Sequence, residues 1–120
     1  TTADRLGINN RCRQEHVTAL TALVDNVLDP LRTWWGKPIT VNSGYRCPEL
    51  NAAVKGSKTS QHMVGEAADI DTGDRQQNKL LFEYIRKNLP YDQLIDESNF
   101  AWVHVSYRAD GNNRMQILKL

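Results

Sequence analysis

Two short stretches set the terms on which this chain can fold. In Ala101-Trp102-Val103-His104-Val105-Ser106-Tyr107, two valines alternate with a Trp, His, Ser set. In Ala67-Ala68-Asp69-Ile70-Asp71, Ala68 and Ile70 alternate with two carboxylates. Successive side chains of a strand point to opposite faces, so each stretch has one apolar and one polar face. Such strands belong to a sheet that packs on a core on one side and stays accessible on the other. Further strands are expected at residues 39–42, 92–96 and 114–119. Asp110-Gly111-Asn112-Asn113 carries turn chemistry and predicts a hairpin between the last two strands.

The remaining periodicity is helical. Val17, Leu20, Val24, Val27, Leu28, Leu31 and Trp34/Trp35 recur at three- and four-residue intervals, which predicts a helix over 14–35. Pro30 lacks a backbone donor and predicts a bend near residues 26–29. Gly36 is a natural stop, with Pro38 soon after. Pro48 opens a short helix over 48–54, and the turn-rich residues 55–61 read as a loop. Asp74 caps a helix over 75–88 with Leu80, Leu81, Tyr84 and Ile85 on its apolar face, ended by Leu89-Pro90. Two main helices and late, clustered strands predict an α+β fold with a small, mostly antiparallel sheet. The chain has 120 residues and no repeat or linker, so one domain over 1–120 is expected.

Composition excludes several classes of function. Lys+Arg 15 against Asp+Glu 14 leaves a net charge of +1, which argues against a nucleic-acid footprint and against an acidic tail. No apolar run approaches the ~20 residues of a membrane span. Thr1-Thr2-Ala3-Asp4-Arg5 lacks the apolar segment of a signal peptide. The chain is thus expected to be mature, excised from something longer or exported by another route. Cys12 and Cys47 leave a disulfide and two free thiols both open, because a helix over 13–35 carries the chain ~35 Å away before it returns. No CxxC is present, so cysteine-based zinc binding is not expected. A monomer is the default expectation.

The chemistry concentrates in Ser60-Gln61-His62-Met63-Val64-Gly65-Glu66-Ala67-Ala68-Asp69-Ile70-Asp71 and in the strand carrying His104. If the two alternating strands are neighbours, Asp69 and His104 converge, and Gly65 supplies a turn that brings in His62. Two imidazoles and a carboxylate suit Zn²⁺ with one position left for water. The site then carries +1, which lowers the pKa of a bound water to about 7. Glu97 is the candidate general base, with Asp96 and Glu66 in reserve. The plain alternatives are a solvated loop histidine for His62, a buried histidine satisfied by backbone for His104, and a turn carboxylate for Asp69.

Ser60-x-His62-x-x-Gly65-x-Ala67-x-Asp69 resembles the signature of the zinc D-Ala-D-Ala carboxypeptidase family, which includes peptidoglycan carboxypeptidases and phage L-alanyl-D-glutamate endolysins. Three more segments are similar and fall in family order: Asn42-Ser43-Gly44-Tyr45-Arg46-Cys47-Pro48-Glu49-Leu50-Asn51, Asp92-Gln93-Leu94-Ile95-Asp96-Glu97 and Trp102-Val103-His104-Val105-Ser106-Tyr107. The resemblance implies a hedgehog/DD-peptidase-like fold. It implies a zinc peptidase acting on peptidoglycan stem peptides, with His62, Asp69 and His104 as zinc ligands. Arg46 polarises the scissile carbonyl, a role that suits a fixed guanidinium aimed at a developing oxyanion. Ser60, Gln61 and Trp102 are the expected substrate contacts, although core packing is equally open for Trp102. Many family members carry the catalytic acid three residues before the last zinc histidine, where this chain has Ala101. A similar subgroup with Gln-Leu-Ile-x-Glu before that strand supplies Glu97 instead, as base toward a zinc-bound water. Asp71 either orients a zinc histidine from behind or closes the turn before Thr72-Gly73. Trp34 and Trp35 are expected to pack, and His16 to be solvated. Lys55, Lys58 and Arg75 either meet an anionic wall polymer or lie in solvent.

The expected activity is cleavage of the D-Ala-D-Ala bond or of a cross-link. An endolysin-type cut at L-Ala-D-Glu and a non-catalytic wall-binding module on the same fold are the alternatives. The expected place of action is the cell wall, periplasmic or extracellular, in a wall-remodelling or a phage lysis setting.

Overall fold

The structure, a computed structural model, describes residues 14–43, 61 and 65–120. The expected helix over 48–54, most of the loop over 55–61, both cysteines, Arg46, Ser60 and His62 lie outside the described residues, and the side chain of His16 does too. The first helical stretch comprises α1 (Gln14–Leu23), a π-helical turn (Val24–Leu28) and α2 (Asp29–Trp35). The expected disturbance before Pro30 takes the form of that wide turn. The Asp29 N–H reaches back to the Val24 carbonyl, so the helix widens just before the residue that has no N–H to give. The extra residue also rotates the apolar face. Ala19, Leu23, Val27 and Leu31 are the buried line, whereas Val17 is 42% exposed. Gly36 ends α2 in the left-handed conformation, at φ 72°, and its N–H bonds the Arg32 carbonyl.

Five strands form one sheet in the order β1 (Thr40–Ser43), β2 (Ala67–Asp71), β4 (Trp102–Ser106), β3 (Gln93–Glu97), β5 (Gln116–Lys119). Three pairings are antiparallel, and β3 with β5 is parallel. The expected α+β class with a mostly antiparallel sheet holds. The expected hairpin between the last two strands does not. β2 and β3 occupy both edges of β4, so the chain after β4 passes over to the outer edge of β3. The hairpin is instead β3–β4.

α3 (Arg75–Asn88) begins as expected, with the Asp74 carboxylate accepting from the Gln77 N–H at 3.0 Å. Its buried face is Asn78, Leu81, Phe82 and Ile85; Leu80, expected inside, is 54% exposed. Leu81 and Ile85 meet Leu23, Val27 and Leu31 of the first helical stretch and Ala68, Ile70, Leu94, Val103 and Val105 of the sheet in one core. Fully burying a side chain of this size stabilises by about 2 kcal/mol. Trp35 packs on this core, while Trp34 stacks on Tyr84 of α3 with ring centroids 4.0 Å apart and stays 46% exposed. Both helical stretches therefore cover one sheet face, the one that takes the even-numbered residues Ala68 and Ile70 of β2. No helix among the described residues is long and apolar enough to cross a membrane.

Asn78 is a polar residue at the centre of this apolar interface, 1% exposed. Its amide donates to the Asp71 carboxylate at 2.9 Å and to the Phe100 and Ala101 carbonyls at 2.9 and 3.2 Å. Its oxygen accepts from the Thr72 N–H and hydroxyl, both at 2.9 Å. One side chain thus joins α3, the end of β2 and the β3–β4 turn. Asn78→Leu strands the Thr72 N–H and two carbonyls, and it is expected to lower stability by about 2–4 kcal/mol in urea unfolding. A loss below about 0.5 kcal/mol would show that the bonds contribute little.

Candidate metal centre

The face of the sheet away from the helices carries the odd-numbered residues of β2 and β3 and the even-numbered residues of β4. Antiparallel register sets Asp69 directly opposite His104. His104 Nδ1 and Asp69 Oδ1 lie 2.9 Å apart, a hydrogen-bond distance when the ring nitrogen carries a proton. Their side chains are 12% and 18% exposed, so both are enclosed yet reachable by solvent. On the other flank of β4, Ile95 faces His104 and Glu97 faces Trp102. Glu97 therefore sits on the same sheet face as His104, one strand over and one pleat repeat along. That diagonal spacing is roughly 7–8 Å between Cβ atoms.

The donor set fits a divalent cation such as zinc. Two ligands at ~2.1 Å from a tetrahedral ion stand ~3.4 Å apart, close to the spacing of Asp69 and His104. Among the described residues no cluster of three His, Cys, Asp or Glu is present, and His62, the expected third donor, lies outside them.

The structure adds partners to two expected residues and corrects a third. The Gln61 amide nitrogen is engaged within the protein. This Nε2 donates to the Asp92 carboxylate at 2.9 Å and to the Glu66 carboxylate at 3.2 Å, and the buried Oε1 of Gln61 has no hydrogen-bond partner among the described residues. Asp96 is no reserve base. It pairs with Val103 on the helix side of the sheet, is 4% exposed, and accepts the Phe100 N–H at 2.6 Å. Arg75 is exposed, as the solvent alternative has it, but its guanidinium is held, donating to the Ser98 and Asn99 carbonyls at 2.7 and 2.9 Å.

Asp71 accepts from the Gly73 N–H at 2.8 Å and from Asn78, the contacts of a turn residue. Those hydrogen bonds, Asn78 first, hold its carboxyl below the usual range. Glu66, the other reserve, accepts from Gln61, while its carbonyl accepts the Tyr107 N–H at 2.8 Å. Trp102 shares the His104 face and is half-buried there, opposite Glu97.

Asp92 is the residue that the sequence reading missed. It is fully buried. One carboxylate oxygen accepts the Arg114 N–H and Nε at 2.9 and 3.0 Å; the other accepts an Arg114 terminal nitrogen at 2.8 Å and Gln61. Its own N–H bonds the Ser106 carbonyl and its carbonyl accepts the Gln116 N–H. The signal was faint, a lone Asp before an apolar strand and an Arg far downstream. The outcome is a charge-assisted hub that ties Gln61, just before His62 in sequence, to three strands. The Arg114 guanidinium holds the Asp92 carboxyl down to about 2, against an ordinary 3.8.

The arrangement is a carboxylate–imidazole pair with a second carboxylate on the same sheet face. A family model described as Peptidase M15 matches residues 2–106, and the chain belongs to that family. A zinc D-Ala-D-Ala carboxypeptidase of Streptomyces albus G is 38% identical over 76 residues, which cover 55% of this chain and 30% of that protein. The chain thus spans less than a third of the length of this relative. Family membership agrees with the peptidase class and with the zinc cofactor that the motif implied.

His104→Ala is expected to abolish stoichiometric zinc in elemental analysis of the purified protein; unchanged zinc removes His104 from the ligand set. Asp92 binds Arg114 as the carboxylate, so its contribution is complete above about pH 5 and lost as the pH falls from about 4 through about 2. Wild-type stability to urea is expected to fall by about 1 kcal/mol more between pH 6 and pH 3 than that of Arg114→Gln. Parallel losses would show that the pair does not set the acid limit.

Proposed function

We propose that the chain is a zinc-dependent peptidase domain that hydrolyses peptide bonds in peptidoglycan stem peptides, of the D-Ala-D-Ala carboxypeptidase or endopeptidase type. The observation that carries this reading is the Asp69–His104 pair with Glu97 on the same sheet face, in a chain of the Peptidase M15 family. The name of the Streptomyces albus G relative supports zinc as the ion and a D-Ala-D-Ala peptide as the substrate class. It also supports action at the cell wall, outside the cytoplasm.

His62, Asp69 and His104 are the residues that hold the ion. When bound, zinc lowers the pKa of a water to near neutrality and draws electron density from the scissile carbonyl. Glu97 accepts the proton of the attacking water and hands it to the leaving amine. Arg46 steadies the charge that develops on the carbonyl oxygen. Trp102, beside Glu97, forms a wall of the groove, and Ser60 contacts the substrate or holds the chain at His62. Asp69 sits on a central strand, so its position is fixed by ladder hydrogen bonds on both sides.

The test is digestion of purified peptidoglycan with and without a zinc chelator, with mass spectrometry of the released ends. New ends at D-Ala that vanish on chelation are expected, and Glu97→Gln is expected to keep its zinc and lose about 10²–10⁴-fold in rate. New ends at L-Ala and D-Glu assign the endolysin-type bond instead. Binding to the wall without new ends overturns the enzymatic reading. A Glu97→Gln variant with near-normal turnover removes Glu97 from the mechanism.

A further inference from the structure

The β3–β4 connection is strained, and the strain sits next to Glu97. Ser98, Asn99 and Phe100 follow it in succession with φ of 50°, 57° and 61°, one left-handed turn made without a glycine. Residues with a Cβ avoid this region, and such a turn persists only where its surroundings over-determine it.

The surroundings do so from three directions. Arg75, at the start of α3, donates from one guanidinium nitrogen to the Ser98 and Asn99 carbonyls. Asn78, one helical turn on, donates to the Phe100 and Ala101 carbonyls. Asp96, on the residue before Glu97, accepts the Phe100 N–H, and the Phe100 ring meets Phe82 edge-on with centroids 5.5 Å apart. All four exposed or buried carbonyls from Ser98 to Ala101 are thus held by two side chains of one helix. A β3–β4 hairpin closed only for stability has glycine-tolerant turns available at no such cost. What the clamp fixes is the last residue of β3, Glu97, whose carbonyl accepts the Ala101 N–H at 3.0 Å.

We infer that Arg75 is a positioning residue for proton transfer: by clamping the left-handed 98–100 turn to α3, it holds Glu97 in register with the His104 face. The inference rests on the proposed role of Glu97 as base. Arg75 lies at the surface and outside the core, so its removal leaves the buried bonds of Asn78 and Asp96 in place.

The test compares Arg75→Met, Ser98→Gly and the double variant, using the saturating rate and half-saturation on purified peptidoglycan, zinc content and thermal unfolding. Arg75→Met is expected to keep one zinc and an unchanged half-saturation while its saturating rate falls about 10- to 100-fold, since small misplacements of a reacting group cost this much. Ser98→Gly relieves the left-handed cost at an exposed position and is expected to return the double variant to within about threefold of wild type. A wild-type rate in Arg75→Met overturns the inference, and so does a loss that Ser98→Gly leaves untouched or one accompanied by loss of zinc. Glu97→Gln, run alongside, separates the two levels: full activity there overturns the role of Glu97, whereas an inactive Glu97→Gln with a normal Arg75→Met overturns the clamp alone.

Discussion

The register between β2 and β4 is the constraint on which the site depends. Asp69 faces His104 because Ala68 faces Val105 and Ile70 faces Val103. Those apolar residues are buried against the helices. A slip of one residue would turn the carboxylate and the imidazole into the core and the valines out to solvent, at a cost of several buried side chains. The hydrophobic core thus sets the spacing of two polar groups that never touch it. The lateral pairing of β3 extends the same logic, bringing Glu97 onto the face already defined by His104.

Side chains cannot be placed by the sheet alone where its strands end, and there the molecule uses buried polar hubs. Asn78 joins α3 to the end of β2 and to the β3–β4 turn. Asp92 joins β3, β4, β5 and the chain at Gln61. Each has its polar groups met by several partners, which is the condition under which a buried polar residue adds order instead of cost. The two hubs flank opposite ends of β3. One governs the turn beside Glu97, and the other governs the segment that enters the His62 motif.

What could be read from the sequence follows from the range of the interactions. β2 and α3 have the expected bounds because period-2 alternation, the Asp74 cap and Leu89-Pro90 are local signals. β3 and β4 appear within a residue or so of expectation, and their facing directions follow from the same alternation. The helix over 14–35 was legible as a helix, and Val27 and Leu31 of its buried line with it; Ala19 and Leu23 were not, because the π-helical turn over Val24–Leu28 offsets the face of the residues before it from the face after it. The partner of β5 was illegible for a topological reason. Asp110-Gly111-Asn112-Asn113 does turn the chain, with the Asn112 N–H donating to Asp110 at 2.8 Å, but both edges of β4 were already occupied. In the site, the convergence of Asp69 and His104 was legible from alternation. The duties of Gln61, Asp92 and Arg75 were not, because each is defined by a partner more than twenty residues away.

The β3–β4 turn also accounts for the place where this chain departs from the common pattern of its family. Ala101 stands three residues before His104, the position at which the family resemblance places a carboxylate in many members. In the structure Ala101 and Glu97 are the two ends of a single turn, joined by the Ala101 N–H to the Glu97 carbonyl at 3.0 Å. A carboxylate moved from one end of that turn to the other stays beside the same strand, opposite Trp102. Sequence distance to His104 grows from three residues to seven, yet the hairpin cancels most of the difference. On the proposed role of Glu97, the requirement passes from the residue at position 101 to the turn itself, which must hold its geometry for Glu97 to face the His104 side. A left-handed turn without glycine, bound by Arg75, Asn78 and Asp96, meets that requirement in a way a freely hinged loop does not.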